Sequence, residues 1–238
     1  MNWGEWPWRG GTRFTEWGGS AGKAHKDSNQ GGQYLLPTSE WAPIADIQGN
    51  DPLVLNNVVM ERAFQRILDT HVPGRKTALF SLCTATRPYS KSRKWSKYIA
   101  EFEPLVDLII HSNGGIIPIE YEGQYPYLTY DAHGEKKYDD IYIRIGIRRM
   151  KEFLERHRYQ YVLFNFRHKM RNFKIAQVVG PWAKAQGLIS DYAILPNQAQ
   201  YEQSQREGFA AQGFSIYPEL YPTMFNPVKE QLTTWSLR

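Results

Sequence analysis

The sequence predicts an α/β fold, a three-layer sandwich around a mostly parallel central sheet. Two observations predict it. The first is a set of short apolar runs, Thr77–Leu82, Leu105–His111, Tyr159–Phe166 and Tyr192–Leu195, each bounded by turn residues and too short for a buried helix. The second is that stretches with apolar residues every three or four positions separate these runs. Strands that alternate with amphipathic helices pack as a parallel sheet covered on both faces.

In chain order, a helix begins near Asp51, with Leu55, Val59, Ala63 and Ile67 on one face, and Pro73-Gly74 ends it. The strand at 77–82 runs into a polar turn over Thr84–Ser90, and a basic helix follows over Ser92–Phe102. The second strand breaks at Asn113-Gly114-Gly115, and residues 121–138, rich in Tyr, Gly and Pro, read as a long ordered loop. Ile141 to Ile147 alternate as a strand would. Ile143, Ile147, Met150 and Leu154 nevertheless keep the helical period over a longer window, so this segment is expected to be helix. A third strand at 159–166, a helix over 170–186, a strand near 192–195, a helix over 198–211 and a further strand at Phe214–Tyr217 complete the series. Residues 1–35 stand apart. Trp3, Trp6, Trp8 and Trp17 lie there among eight glycines with no period, which predicts an arm attached to a single domain over 36–238.

At 238 residues the chain is long enough to bury a core without staples. Its one cysteine, Cys83, excludes a disulfide framework and any cysteine-held zinc or iron–sulfur centre. No His-Glu-x-x-His helix, Gly-x-Ser-x-Gly elbow or phosphate-binding glycine loop occurs. No metal or cofactor is expected. No apolar run approaches the ~20 residues that span a bilayer, and the start of the chain is not a secretory signal, so a cytoplasmic monomer with no membrane contact is expected. The net charge of +5 is modest, with a pI near 9.1. The surplus clusters, however, at Lys91, Arg93, Lys94 and Lys97 and again at Arg167, Lys169, Arg171 and Lys174. Such clusters suit phosphate contacts with DNA.

In open α/β sheets ligands bind beyond the carboxyl ends of the strands. Three polar segments follow strands directly and should converge there. The first carries Ser81, Thr84, Ser90 and Ser92 around Arg87 and Tyr89, a set suited to holding an anion or a small ligand. The second holds Asn113, Glu120, Asp131 and five tyrosines. Gly114 and Gly115 would let the backbone approach a ligand, and Tyr125 and Tyr127 would stack on a base. The third is the basic stretch that contains His168.

The core Cys-Thr-Ala-Thr-Arg-Pro-Tyr-Ser-Lys-Ser within Ser81–Trp95 resembles the Cys-Ser-Ala-x-Lys-Pro-Tyr-Ser-x-Ser motif in the core domain of archaeal archaeosine synthases. Ser112, Gly115, Pro118, Glu120, Tyr125-Pro126 and Tyr130-Asp131 similarly match that domain's Ser-Pro-Leu-Gly-Val-Val-Pro-x-Glu segment and the Tyr-Pro and Tyr-Asp after it. The resemblance covers about residues 76–168. It departs at Asn113-Gly114, where the synthases have Pro-Leu, and at Arg87, where they have Lys. That domain is similar in fold to the uracil-DNA glycosylases, whose water-activating Asp loop and His-Pro-Ser-Pro-Leu motif have no counterpart here. The resemblance implies an enzyme that handles a modified nucleobase. A free-standing relative of this kind resembles the bacterial anti-phage DNA glycosylases that flip out and excise glucosylated hydroxymethylcytosine, leaving abasic sites. On that reading Asp131 or Glu120 stabilises the cationic sugar, Asn113 holds water or base, and His168 or Arg87 faces the leaving base. Two alternatives stay open: a transferase or lyase acting on 7-deazaguanine in nucleic acid, and a non-catalytic reader of modified DNA.

Overall fold

A computed structural model describes residues 35–41, 47–210 and 217–238. The Trp/Gly-rich arm, bar Leu35, and nearly all of the strand expected at 214–217 lie outside the described residues. Seven strands and seven helices occur among them: β1 Gln48–Asn50, α1 Asp51–Leu55, α2 Val58–Thr70, β2 Thr77–Leu82, α3 Arg93–Phe102, β3 Asp107–Ser112, β4 Gly115–Pro118, β5 Asp131–His133, α4 Asp139–Arg156, β6 Tyr161–Asn165, α5 Arg171–Ala185, β7 Asp191–Leu195, α6 Gln198–Ala210 and α7 Pro222–Ser236. The main sheet has the order β4-β3-β2-β6-β7. Its strands run parallel except β4, which returns antiparallel beside β3. β1 and β5 form a separate parallel pair.

The sheet is sandwiched between helices, so the expected α/β architecture holds. α2, α4 and α5 cover one face, where Phe80 packs against Phe153 of α4. α3 and α7 cover the other, where Phe102 stacks on Phe225 at 5.0 Å and Tyr161 on Trp235 at 5.0 Å. The wholly buried side chains Ala78, Leu79 and Phe80 of β2 and Val162, Leu163 and Phe164 of β6 explain why these strands read as continuous apolar runs. The helix expected from Asp51 is two helices. Asn57 interrupts it by capping α2, its Oδ1 accepting from the Val59 amide at 2.8 Å.

The break expected at 113–115 is instead a hairpin. Ser112 pairs with Gly115, and only Asn113 and Gly114 connect β3 to β4. The reversal decides what reaches the site, because the chain after β4 emerges at the amino end of the sheet. The order of strands places the topological switch at β2, whose two neighbours, β3 and β6, follow it in the chain on opposite sides. The crevice beyond the carboxyl ends of β2, β3 and β6 is therefore where the fold invites a ligand.

Candidate functional site at the carboxyl ends of the strands

The turn after β2 spends most of its polar groups on its own structure. Ser92 Oγ caps α3 by accepting from the Trp95 amide at 3.2 Å. Thr84 Oγ1 donates to Thr86 O at 3.4 Å, and the Ser90 amide donates to Glu122 Oε2 at 2.8 Å. Arg87 donates to Tyr130 O, and its guanidinium lies 3.9 Å from the centre of that ring. What was expected to be an open anion cradle is a braced loop, with Arg87 Nε buried and unbonded.

On the α4/α5 face, the Asn113-Gly114 turn meets the start of α5. Arg171 Nη2 donates to Asn113 Oδ1 at 2.8 Å, and Nη1 pairs with Asp51 and, at 3.5 Å, with Asp139. The guanidinium stacks on Tyr142 at 3.6 Å. Beneath it, Asn172 Nδ2 lies 2.5 Å from His111 Nδ1 and 3.0 Å from Tyr142 Oη. Burial, reinforced by Arg171 and Arg149, pushes His111 down to about 3 and keeps it neutral. Burial raises the Asp51 carboxyl against the opposing pull of Arg171.

On the α3/α7 face, Ser81 and Asn165 stand opposite each other on β2 and β6. Asn165 is wholly buried, and neither its Oδ1 nor its Nδ2 has a partner. Tyr98 Oη faces both residues within reach of their polar atoms but without a well-aligned hydrogen bond to either. Next to them Glu219 takes a two-point ion pair from Arg167, at 2.7 and 3.2 Å. Lys94, 1% exposed, donates to Leu82 O at 2.7 Å. Burial draws the Lys94 ammonium down to about 8 against the attraction of Glu219. Cys83 sits between the two networks. Burial raises its thiol, while Arg87, Lys94 and Arg171 oppose the rise.

Several expected site residues lie elsewhere or are differently employed. Glu120 is carried by β4 to the amino end of the sheet, where its Oε1 meets His71 Nδ1 at 2.6 Å. Tyr89, Tyr125 and Tyr127 are core residues: Tyr89 bonds Tyr130 Oη at 2.9 Å, and Tyr125 stacks on Trp41 at 5.1 Å. They offer no open stacking face. Gly114 and Gly115 make room for the protein itself. A Cβ on Gly114 would stand 2.8 Å from Tyr130, and one on Gly115 2.7 Å from Arg149. Of the basic clusters, Lys91, Arg93, Lys97, Lys169 and Lys174 are exposed, whereas Lys94, Arg167 and Arg171 are committed to internal partners. Asp131 is exposed on β5, one residue from Ala132, whose carbonyl faces Asn113 Nδ2 at 3.4 Å. His168 packs on Phe173 at 4.7 Å with Nδ1 buried and unbonded.

The sequence reading missed Asp51, Asp139, Asn165, Tyr98 and Glu219. Asn165 and Glu219 carried signals: a polar residue ending an apolar strand, and an acid beyond the last expected strand. Among the described residues no group of three or more His, Cys, Asp or Glu side chains is placed to hold a metal ion. None of the described helices is long and apolar enough to cross a membrane. A groove of about 800 Å³ runs along α2 between Leu36, Pro37, Val58 and Arg62, apart from this crevice.

No curated protein matches the chain. A crystal structure of AF0587, a protein of unknown function, aligns at 18% identity and a TM-score of 0.43, covering 63% of this chain and 49% of its own. The chain thus spans about half the length of that solved structure. The family described as a domain of unknown function, DUF5591, matches residues 60–184, from α2 through nearly all of α5. That span is more than half of the chain and includes β2, β3, β6, the turn after β2, Asn113 and Arg171; the chain belongs to the DUF5591 family.

Proposed function

We propose that this protein is a DNA glycosylase that takes a modified base into the carboxyl-end crevice and cuts its N-glycosidic bond, leaving an abasic site. In line with the family resemblance, glucosylated hydroxymethylcytosine in phage DNA is the lead substrate and anti-phage defence the setting. The observation that carries this reading is Asn165, buried at the end of β6 with no well-aligned hydrogen bond to its donor or its acceptor and only the Tyr98 hydroxyl facing it. Buried polar atoms are nearly always bonded, and a set left open in a ligand-binding crevice asks for a ligand with a matching edge. A flipped nucleobase presents such a donor–acceptor edge.

Cleavage builds positive charge on the sugar and negative charge on the departing base. On this reading Asp131 and Asp139 stabilise the sugar and take the water's proton, and Asn113 and His168 face the base. The exposed Lys91, Arg93, Lys169 and Lys174 hold flanking phosphates. The test is incubation with phage DNA carrying glucosylated hydroxymethylcytosine, with mass spectrometry of released bases and a count of abasic sites. Asn165→Ala is expected to lower base release by about 10²–10⁴ and to leave the melting temperature unchanged or higher, since it removes unmet polar atoms. Wild-type release by that variant sinks the assignment of Asn165.

A further inference from the structure

Arg171 carries only hydrogen-bond donors, so the Asn113 atom 2.8 Å from its Nη2 must be the amide oxygen. That oxygen is turned toward Arg171. The Asn113 NH2 keeps one loose contact, Ala132 O at 3.4 Å, and two N–H bonds to share. Arg171 is itself immobilised. Asp51, wholly buried, pairs with it, Asp139 flanks it, and the centre of the Tyr142 ring lies 3.6 Å from its guanidinium carbon. Gly134 leaves space for the guanidinium, because a Cβ there would stand 2.9 Å from Nη2. Three segments far apart in sequence thus fix one side-chain amide in one orientation.

We propose that Asp51 and Arg171 are positioning residues that hold Asn113 as a hydrogen-bond donor to the substrate. The inference rests on the glycosylase reading and narrows it. Hydrolysis breaks the bond between C1′ and the base nitrogen, and the electron pair leaves with the base. The water oxygen bonds C1′, and its proton ends on a carboxylate or on the departing base. A residue that activates the water must accept that proton's hydrogen bond. The Asn113 oxygen is turned toward the Arg171 guanidinium, which draws on its electrons and makes it a poor acceptor, while the NH2 on its other side has an N–H to give. Asn113 therefore serves the other partner: it donates to an acceptor on the departing base, where negative charge gathers.

Asn113→Asp separates the two roles, since it keeps an oxygen for Arg171 and removes the donor. Both Asn113→Asp and Asn113→Ala are expected to lower the kcat of base release about 100-fold or more, with DNA affinity within about threefold of wild type. An Asn113→Asp variant that releases base at the wild-type rate overturns the donor role. A second arm needs no substrate. In 15N-labelled protein, Asp51→Asn and Arg171→Lys are each expected to shift the Asn113 side-chain NH2 resonances and speed their hydrogen exchange about tenfold, while the Trp235 indole signal stays in place. An Asn113 pair that does not respond overturns the positioning role. If that pair responds while wild-type protein releases no base from any modified DNA, the glycosylase reading fails and the positioning of Asn113 stands.

Discussion

The two ends of the central sheet both carry buried polar networks, and they are finished differently. At the amino end, His71 bridges Glu120 and Tyr159 at 2.6 and 2.7 Å, and Asp107 receives the Gly74 amide at 2.9 Å. Among the described residues one atom there, His157 Nε2, is buried without a partner. At the carboxyl end, Asp51 Oδ1, Arg87 Nε, Tyr98 Oη, His168 Nδ1 and both amide atoms of Asn165 are unbonded. Leaving a buried donor or acceptor unmet costs about 1–3 kcal/mol each. The concentration of this cost at the end where α/β sheets bind ligands is what makes that end the candidate site.

Charge reversal tests this difference most strongly. Lys91, Arg93, Lys169 and Lys174 are exposed around the carboxyl end, while Arg75, Lys76 and Arg158 are exposed near the amino end. Changing the first group to Glu is expected to weaken duplex binding by 100-fold or more at low salt and to flatten its salt dependence, each lost phosphate contact removing about 0.9 from the slope of log K against log salt. Reversing the second group is expected to change affinity by a few-fold, through net charge alone. Equal losses in fluorescence-anisotropy titrations break the comparison, because binding then follows total charge and not one end of the sheet.

Acid sharpens it. Burial holds His111 at about 3 when folded, against about 6.5 in an open chain. The unfolded chain therefore binds the extra proton first. Stability from this group is complete above about pH 6.5 and is lost as pH falls toward 3, by roughly 2–3 kcal/mol at pH 4.5. His157 at the amino end, burial-lowered to about 4, acts in the same direction over a narrower window. Denaturant unfolding at pH 7 and at about pH 3.5, below the folded value of His157 and still above that of His111, is expected to show a smaller acid loss in His111→Gln than in wild type. His157→Gln is expected to recover less. The opposite ranking would place the acid-sensitive contact at the amino end.

Most of the architecture is legible because β2, β3, β6 and β7 are short apolar runs and their helices keep a 3.6 period. Ile141 to Ile147 show the limit of alternation as a signal, since the longer window identifies α4 correctly. α7 escapes notice because Pro222 and Pro227 interrupt its pattern, and β1, β4 and β5 because three or four residues carry no period. Convergence at the carboxyl ends is sound for the turn after β2, Asn113 and Arg171. It misplaces Glu120 because two residues, Asn113-Gly114, reverse the chain, and an Asn-Gly pair between apolar runs is itself a hairpin signal. The ion pairs of Asp51 and Glu219 were unreadable for a different reason. Their partners lie 120 and 52 residues away, and no local pattern encodes such a pair.

The smallest expected effect belongs to Glu120, the one candidate that the hairpin carries away from the crevice. Its side chain is 48% exposed, so water screens its contact with His71, and Gln keeps an oxygen in the same place. Glu120→Gln is therefore expected to cost less than about 1 kcal/mol, a fall of no more than roughly 4 °C in melting temperature for a domain of this size. Base release and DNA affinity are expected to match wild type. The measurement is calorimetry beside the base-release assay on one preparation. If Glu120→Gln melts like wild type yet releases base 100-fold more slowly, the amino end takes part in the chemistry. The His71–Tyr159 chain would then replace the Asn165 crevice as the place to look for the substrate.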